Sequence, residues 1–243
     1  MDNMVNTLCI VQARLTSTRL PNKVLMELGS SKKNILEHVN ERLNMSHLID
    51  QVVFAIPDSP LNDKLEQFLV EKKIPYFRGN EDNVLERYTE CARYYGPRIV
   101  VRATCDNPCV DWKQVDTLIS GLGEQDYVSS QGAPLGTSVE VFKIGALYYS
   151  YEHASLDSEK EHVTPFIYRH PDLFKFKKIP YHIPGVNPYR LTVDTELDFA
   201  VNDLIYKSLY NGKPIPNEQI YEFLNKNEDI WKMNISVEQK KVL

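Results

Sequence analysis

Short apolar runs alternate with helix-period patterns along the first half of the chain. Each run has the length and character of a buried strand, and the runs cover residues 7–12, 51–56, 75–78 and 98–102. The helical patterns cover residues 34–45, 61–73, 81–95 and 112–122. This alternation, with its short connections, predicts a doubly wound α/β fold: a mostly parallel central sheet with helices on both faces.

The pattern changes after Gly123. Two strands separated by a Gly/Pro turn predict a small β-rich lobe at about residues 124–170. The predicted elements are strands at 126–130, 137–142 and 174–181, the last an edge strand, and helices at 143–154, 158–169, 195–210 and 217–225. Pro165 should kink or end its helix. We expect one domain over residues 1–210 and a C-terminal extension over residues 211–243.

Three polar loops follow predicted strands, at residues 13–23, 78–82 and 103–111. Ligands of such sheets bind outside the carboxyl ends of the strands. We therefore expect the three loops to meet at one edge and to form the ligand site.

The first loop carries three cations within ten residues, Arg14, Arg19 and Lys23, among small hydroxyl side chains. Guanidinium forks, an ammonium and backbone N–H groups after a strand favour a phosphate cradle. The loop matches neither the P-loop nor the dinucleotide fingerprint. On composition alone, an ordinary charged surface loop explains it equally well.

Charge and composition exclude several classes of protein. The net charge of −5 disfavours a general nucleic-acid-binding surface. No apolar run approaches the ~20 residues of a membrane span. The N-terminus lacks the basic region of a secretory signal, so we expect a cytoplasmic protein. The four cysteines form no CxxC pair, and reduced structural thiols are the simplest interpretation.

Two aspartates stand where strands give way to polar segments. Asp106 follows the fourth predicted strand, and Asp111 suits the cap of the next helix, which leaves Asp106 available to a magnesium ion. Asp194 is a second metal candidate. Taken by itself, Asp194 fits a helix N-cap better than a metal ligand.

Six ordered motifs resemble one enzyme family over about the first 210 residues. They are QARLTSTRLPNKVL (12–25), RGNEDNVLERY (78–88), VVRATCDNP (100–108), VEVF (139–142), EHVTPFIYRHP (161–171) and RLTVDTELDF (190–199). The chain is similar to the spore-coat-polysaccharide cytidylyltransferases, themselves similar to the CMP-sialate and CMP-Kdo synthetases. The resemblance implies a Rossmann-like nucleotidyltransferase fold and a homodimer joined through the 124–170 lobe.

The resemblance also implies a reaction and its residues. CMP passes from CTP to an acidic sugar of the nonulosonic acid type, pyrophosphate leaves, and Mg²⁺ assists, in the synthesis of surface polysaccharide or glycan. Lys23, Arg14 and Asp106 would be catalytic, and Asp106 with Asp194 would hold the metal. The implied nucleotide-binding residues are Ala13, Arg14, Ser17, Arg19, Lys23, Arg78, Gly79, Asn80, Thr104 and Asp106.

Acceptor recognition has weaker support. The resemblance implies Glu140, His162 and Arg190. From the pattern alone, Glu140 is one polar position of an alternating strand, His162 is a structural or subunit-bridging histidine, and Arg190 belongs to a surface ion pair.

Several positions depart from the family pattern, including Thr16, Asn22 and Cys105, each of which replaces a glycine. Asn tolerates left-handed backbone geometry, so position 22 is a mild change. The segment 131–138 lacks the charged residue and the L-D pair usual before VEVF. This departure indicates a different acceptor or a lost acceptor site.

Other functions therefore stay open. One is a nucleotidyltransferase using another nucleotide or a phosphorylated small acceptor. Another is a non-catalytic nucleotide-binding or scaffolding protein on the same fold. A glycosyltransferase has less support, because the chain has no D-x-D motif.

Overall fold

A computed structural model describes residues 5–239. Seven strands form one sheet in the order β3-β2-β1-β4-β6-β5-β7. The strands are β1 Thr7–Gln12, β2 Gln51–Pro57, β3 Tyr76–Gly79, β4 Ile99–Thr104, β5 Tyr127–Gln131, β6 Glu140–Lys143 and β7 Phe176–Pro180. The first four are parallel, as predicted.

Helices cover both faces of this sheet. The helices are α1 Ile35–Leu43, α2 Asp63–Glu71, α3 Val84–Tyr95, α4 Trp112–Gly121, α5 Ile144–His153, α6 Asp157–His162, α7 Pro165–Arg169, α8 Glu196–Leu209, α9 Asn217–Lys226 and α10 Glu228–Lys232. Alternate residues of β1 serve the two faces: Cys9 and Val11 pack with α1, α4 and α8, whereas Leu8 and Ile10 pack with α3 and α5. The doubly wound prediction is confirmed.

The segment predicted as a β-rich lobe continues the central sheet rather than forming a sheet of its own. β6 runs antiparallel to β4, and β5 runs antiparallel to β6. β7 joins β5 in parallel at the edge, where the sequence predicted an edge strand. Helices make up the rest of the segment, and Pro165 begins α7 after a break, as expected.

One local expectation is wrong, and one helix was missed. Asn80 and Asp82 suit an N-cap by their position before α3, but Asn83 accepts the hydrogen bond from the Glu86 N–H instead. The short helix α10 was not predicted from the sequence.

The C-terminal extension packs on the core. Ile220 and Leu224 of α9 are fully buried. Buried Arg42 of α1 donates to the Ile215 carbonyl at 2.6 Å and also bonds the side chain of Asn217. The last four residues of the extension lie outside the described residues.

Burial also accounts for the cysteines. All four are buried free thiols, and burial raises the pKa of Cys91 to about 12 and that of Cys109 to about 11. Within residues 5–239, no helix combines the length and apolar character that a bilayer span requires.

Candidate active site

A cavity of about 550 Å³ lies beyond the carboxyl ends of β1 and β4. It includes most of the residues singled out from the sequence: Ala13, Arg14, Ser17, Arg19, Lys23, Thr104, Asp106, Glu140, His162 and Asp194. The first and third predicted loops thus meet at one edge of the sheet. The second loop lies outside the cavity.

Backbone contacts fold the 13–23 loop back on itself. The Leu15 N–H donates to buried Asn62 at 2.9 Å, and the Asn22 N–H donates to the Leu15 carbonyl at 3.1 Å. Asn22 is left-handed, with φ 59°, as its tolerance of that geometry allows. A single 3-10 turn, Lys23–Leu25, follows and turns the Lys23 side chain inward.

The Lys23 ammonium lies between two aspartates. Its Nζ is 2.9 Å from Asp106 Oδ2, 2.9 Å from Asp194 Oδ1 and 2.7 Å from the Val193 carbonyl oxygen. Thr104 donates to the other oxygen of Asp106 at 2.6 Å. The carboxylate that follows β4 and the carboxylate that precedes α8 therefore converge on one point.

Charge pairing stabilises the ionised forms of this cluster. Burial acts to raise the pKa of Asp106, but the Lys23 ammonium and the Thr104 hydrogen bond outweigh it, so the pKa lies below its ordinary value. Burial acts to lower the pKa of Lys23, and the two carboxylates outweigh it in turn, so that pKa is raised.

Asp194 is not the cap of α8. Thr195 caps that helix in a capping box with Asp198. Asp194 Oδ2 instead forms ion pairs with Arg19 and Arg190, whose Nη2 atoms each lie 3.0 Å away. The prediction of a helix cap at Asp194 is therefore wrong. The Asp194 side chain lines the cavity.

Arg190 does not line the cavity, contrary to the acceptor-binding expectation. It is buried, and its Nε lies 2.7 Å from Oδ1 of Asp198, a residue with no exposed surface. Asn234 donates to Asp198 at 2.8 Å, and Gln239 accepts from Arg190 at 2.7 Å. Arg190 therefore pairs with Asp194 on the side away from the cavity and fixes its position. Asn234 and Gln239 of the C-terminal extension hold Asp198 and Arg190 in place.

The residues predicted from the 78–82 loop also lie elsewhere. Arg78 forms ion pairs with Asp58, Asp63 and Glu66 at the surface. Asn80 is exposed, and its side chain accepts from the backbone N–H groups that precede α3. Because pairing depends on neighbours distant in sequence, the motif alone did not reveal it.

Glu140 lies at the other end of the cavity, where it is already engaged. It forms an ion pair with Arg102 at 2.6 Å and accepts from Thr164 at 2.8 Å and from Tyr127. His162 lines the same end. Ser129, Ser130 and Ser138 also line the cavity and bring hydroxyl groups to it.

The divergent 131–138 segment forms part of the cavity wall. Gly136 has φ +88°, and a Cβ there would lie 2.3 Å from the Thr192 backbone nitrogen. The Leu191 N–H donates to the Leu135 carbonyl at 2.8 Å. The segment is thus held against the chain that carries Asp194.

Two cavity-lining arginines were missed from the sequence, Arg87 of α3 and Arg102 of β4. Arg102 interrupts an apolar strand, which was an available signal. Arg87 occupies a position in the helical pattern that suits any exposed polar residue, so periodicity gave no sign of its burial.

The donor set limits what metal the site can take. The described residues contain no group of three or more His, Cys, Asp or Glu side chains suited to a metal ion. Asp106 and Asp194 do converge on one point, and Mg²⁺ typically uses one or two carboxylates together with phosphate oxygens. The residues therefore fit Mg²⁺ that is shared with a substrate phosphate.

This fold and site define a class of enzyme. A parallel sheet presents a cationic loop and two converging carboxylates in one cleft, an arrangement suited to nucleotidyl transfer. The cytidylyltransferase family model matches residues 8–242. The chain belongs to the cytidylyltransferase family and is a CTP-dependent nucleotidyltransferase.

Several known proteins are similar to this chain in sequence or structure. The spore coat polysaccharide biosynthesis protein SpsF of Bacillus subtilis is 34% identical over 235 residues, which cover 93% of this chain and 97% of that protein. The 3-deoxy-manno-octulosonate cytidylyltransferase of Geobacter sulfurreducens is 24% identical over 209 residues, 72% of this chain and 81% of that enzyme. The solved structure of a cytidylyltransferase from Leptospira borgpetersenii has a TM-score of 0.87 at 26% identity, covering 97% of this chain and 100% of the other.

Proposed function

We propose that this enzyme transfers CMP from CTP to an acidic sugar of the nonulosonic acid type, in the cytoplasm, for the synthesis of surface polysaccharide or glycan. The observation that carries the proposal is the convergence of Lys23, Asp106 and Asp194 at one end of a cavity lined by serine hydroxyls. The name of the Geobacter sulfurreducens enzyme supports a sugar acceptor that bears a carboxylate, and that of the Bacillus subtilis protein supports a role in polysaccharide synthesis.

In the proposed reaction, a hydroxyl oxygen of the sugar forms a bond to the α-phosphorus of CTP. The bond from that phosphorus to the bridging oxygen breaks, and pyrophosphate leaves. The hydroxyl proton passes to solvent or to a neighbouring base. Positioning and charge stabilisation supply most of the catalysis of such transfers.

The residues of the 13–23 loop bind the triphosphate in this proposal. Arg14 is exposed in the cavity and forms no ion pair within residues 5–239, so its guanidinium is available to phosphate oxygens. Arg19 already reaches Asp194 and lies beside the same site. Ala13 and Ser17 line the approach, and Thr104 flanks the nucleotide on the β4 side.

Asp106 and Asp194 would hold Mg²⁺, which would neutralise charge on the α-phosphate. The Lys23 ammonium lies between these two carboxylates in this structure, so it would have to move aside for a cation to bind them. Lys23 would then be available to the triphosphate. A bound cation would replace the ammonium, so the two carboxylates would not be left unpaired.

Glu140 and His162 lie at the acceptor end in this proposal. Glu140 is held by Arg102, Tyr127 and Thr164, so it positions Arg102 at that end rather than standing free for a sugar hydroxyl. The serine hydroxyls supply donors and acceptors for the sugar.

A panel assay tests the proposed function. Pyrophosphate release is measured with magnesium and each of CTP, GTP, ATP and UTP, against acidic sugars and phosphorylated small acceptors. Release only with CTP and an acidic sugar supports the proposal. Release with a different nucleotide or a phosphorylated acceptor would overturn it, and CTP binding without release would favour a binding protein.

We also propose a homodimer joined through residues 124–170. Helices α5 and α7 and the connection between α5 and α6 present large apolar side chains to solvent, including Tyr149, Tyr168 and Leu156, which are 38%, 36% and 53% exposed. Exposed apolar patches mark protein interfaces. Light scattering should give twice the chain mass, and Leu156→Asp should shift it toward the single-chain mass. A wild-type monomer at high concentration would contradict this proposal.

A further inference from the structure

Arg87 is a buried cation whose charge the described residues compensate only in part. It is the fourth residue of α3, is 2% exposed, and lines the cavity with Arg14. No carboxylate forms an ion pair with it in the part of the chain that the structure describes. Buried charges are ordinarily paired, so this arginine calls for a partner outside the protein.

The hydrogen bonds of Arg87 are also incomplete. One terminal nitrogen donates to the Asn80 carbonyl and, at 3.4 Å, to the Glu81 carbonyl, while its Nε has no partner in the described structure. Burial lowers the pKa of Arg87 to about 10. The charge of Arg14 acts in the same direction, and that of Glu81 acts in the opposite direction without outweighing burial. These observations show a buried charge that the protein compensates only in part.

Arg42 gives the contrast. It is equally buried and has no carboxylate partner, but its three nitrogens donate to the Val110 carbonyl, the Ile215 carbonyl and Asn217. A fully bonded arginine of this kind has a structural role. Arg87 has a free Nε and lies at a cavity, and Arg42 does not line it.

The surrounding structure fixes the position of Arg87. The neighbouring Tyr88 hydroxyl bonds the Ile10 carbonyl at 2.9 Å and the Ala103 carbonyl at 3.1 Å, which ties α3 to β1 and β4. Gly79 leaves room for the Arg87 stem, because a Cβ there would lie 3.0 Å from its Cγ. Gly79 therefore acts through Arg87, although it does not line the cavity itself.

We propose that Arg87 binds a phosphate oxygen of the nucleoside triphosphate, next to Arg14. A guanidinium fork suits phosphate geometry. The inference rests on the proposed function, because it takes the cavity to be the nucleotide site. A neutral carbonyl of the base would leave two neighbouring cations uncompensated, whereas a phosphate compensates both.

Binding measurements on Arg87→Met test this assignment. Affinities for CTP, CDP, CMP and cytidine are measured by titration calorimetry with magnesium and no acceptor. Arg93→Met is the control, because Arg93 is an exposed arginine of the same helix. Arg87→Lys tests whether charge without the fork restores binding.

We expect Arg87→Met to weaken CTP binding by about ten- to a hundredfold, the usual range for a hydrogen bond to a charged group, while cytidine affinity stays within about twofold. Arg87→Lys should recover part of the loss, and Arg93→Met should match the wild type. The free energy of unfolding of Arg87→Met should fall only by the loss of its carbonyl hydrogen bonds, because no ion pair is broken.

Two results would overturn the assignment: equal losses for CTP and cytidine, or unchanged CTP binding. A clear destabilisation of Arg87→Met with equal losses would show a structural role like that of Arg42. If the wild type prefers another triphosphate, the proposed function fails, and the same comparison of that triphosphate with its nucleoside still decides the role of Arg87.

Discussion

The support behind Asp194 makes a quantitative prediction for Arg190→Met. The substitution removes a buried guanidinium and leaves Asp198, which has no exposed surface, without its cation. Breaking a buried ion pair costs about 3–5 kcal/mol. Asp194 loses less, because Arg19 and Lys23 remain bonded to it.

This loss is large enough to measure by thermal and chemical unfolding. For a chain of this size, each kcal/mol lowers the melting temperature by about 2–4 °C, so we expect a decrease of about 6–20 °C. Adding Asp198→Asn should recover much of it, because the uncompensated charge is then removed. Turnover should fall with little change in the KM of the acceptor, because Arg190 acts through Asp194.

Arg78→Met is the matched control. Arg78 forms ion pairs with three carboxylates, one more than Arg190, but Asp58 and Asp63 are 71% and 51% exposed. Exposed pairs contribute about 0–1 kcal/mol, so this variant should melt within a few degrees of the wild type. An Arg190→Met protein with wild-type stability and a selective rise in acceptor KM would refute the supporting role and restore the acceptor role.

Three further predictions concern the cluster and the cavity wall. Lys23→Ala and Asp106→Ala should each abolish turnover and keep the fold by circular dichroism; near-normal rates would remove that residue from the mechanism. Gly136→Ala should lower the free energy of unfolding by about 2 kcal/mol or more, because its Cβ meets the Thr192 backbone, whereas Gly132→Ala, with no neighbour within 4 Å, should cost about half as much; equal costs would contradict the close contact. The Asp106 pKa is lowered, so the ionised carboxylate stabilises the fold above its ordinary pKa of 3.8, and this stabilisation is lost as pH falls through the lowered value. The Lys23 pKa is raised, so the ammonium stabilises the fold below 10.5, and this stabilisation is lost as pH rises through the raised value. Unfolding curves should show an acid limb that Asp106→Asn reduces, and an unchanged limb would contradict the pairing.

The parts of the site predicted from sequence are those set by strand order. Arg14, Lys23 and Asp106 follow strands that proved adjacent and parallel, so one topological rule brought them together. Asp194 needed the family resemblance, because its local pattern favours a cap. Periodicity located most helices and strands to within a few residues, because the burial of one face leaves a local pattern in the sequence.

The parts that were wrong or missed depend on contacts between distant residues. Arg190 and Arg78 are both arginines that open a family motif, but their surroundings differ. Arg190 pairs with fully buried Asp198, whereas Arg78 pairs with exposed acids such as Asp63. Arg87 is buried where the Tyr88 hydroxyl ties α3 to the sheet and Gly79 leaves room for the Arg87 side chain. No pattern in a single chain reports those distances.

Radiolabelled CTP shows which phosphorus atom the enzyme transfers. The enzyme is incubated with magnesium, an acidic sugar and CTP labelled at either the α- or the γ-phosphate, and the products are separated. We expect the α-label to enter the sugar product and the γ-label to appear in pyrophosphate. A γ-label in the sugar product, or an α-label that stays in CTP although the acidic sugar binds, would contradict CMP transfer.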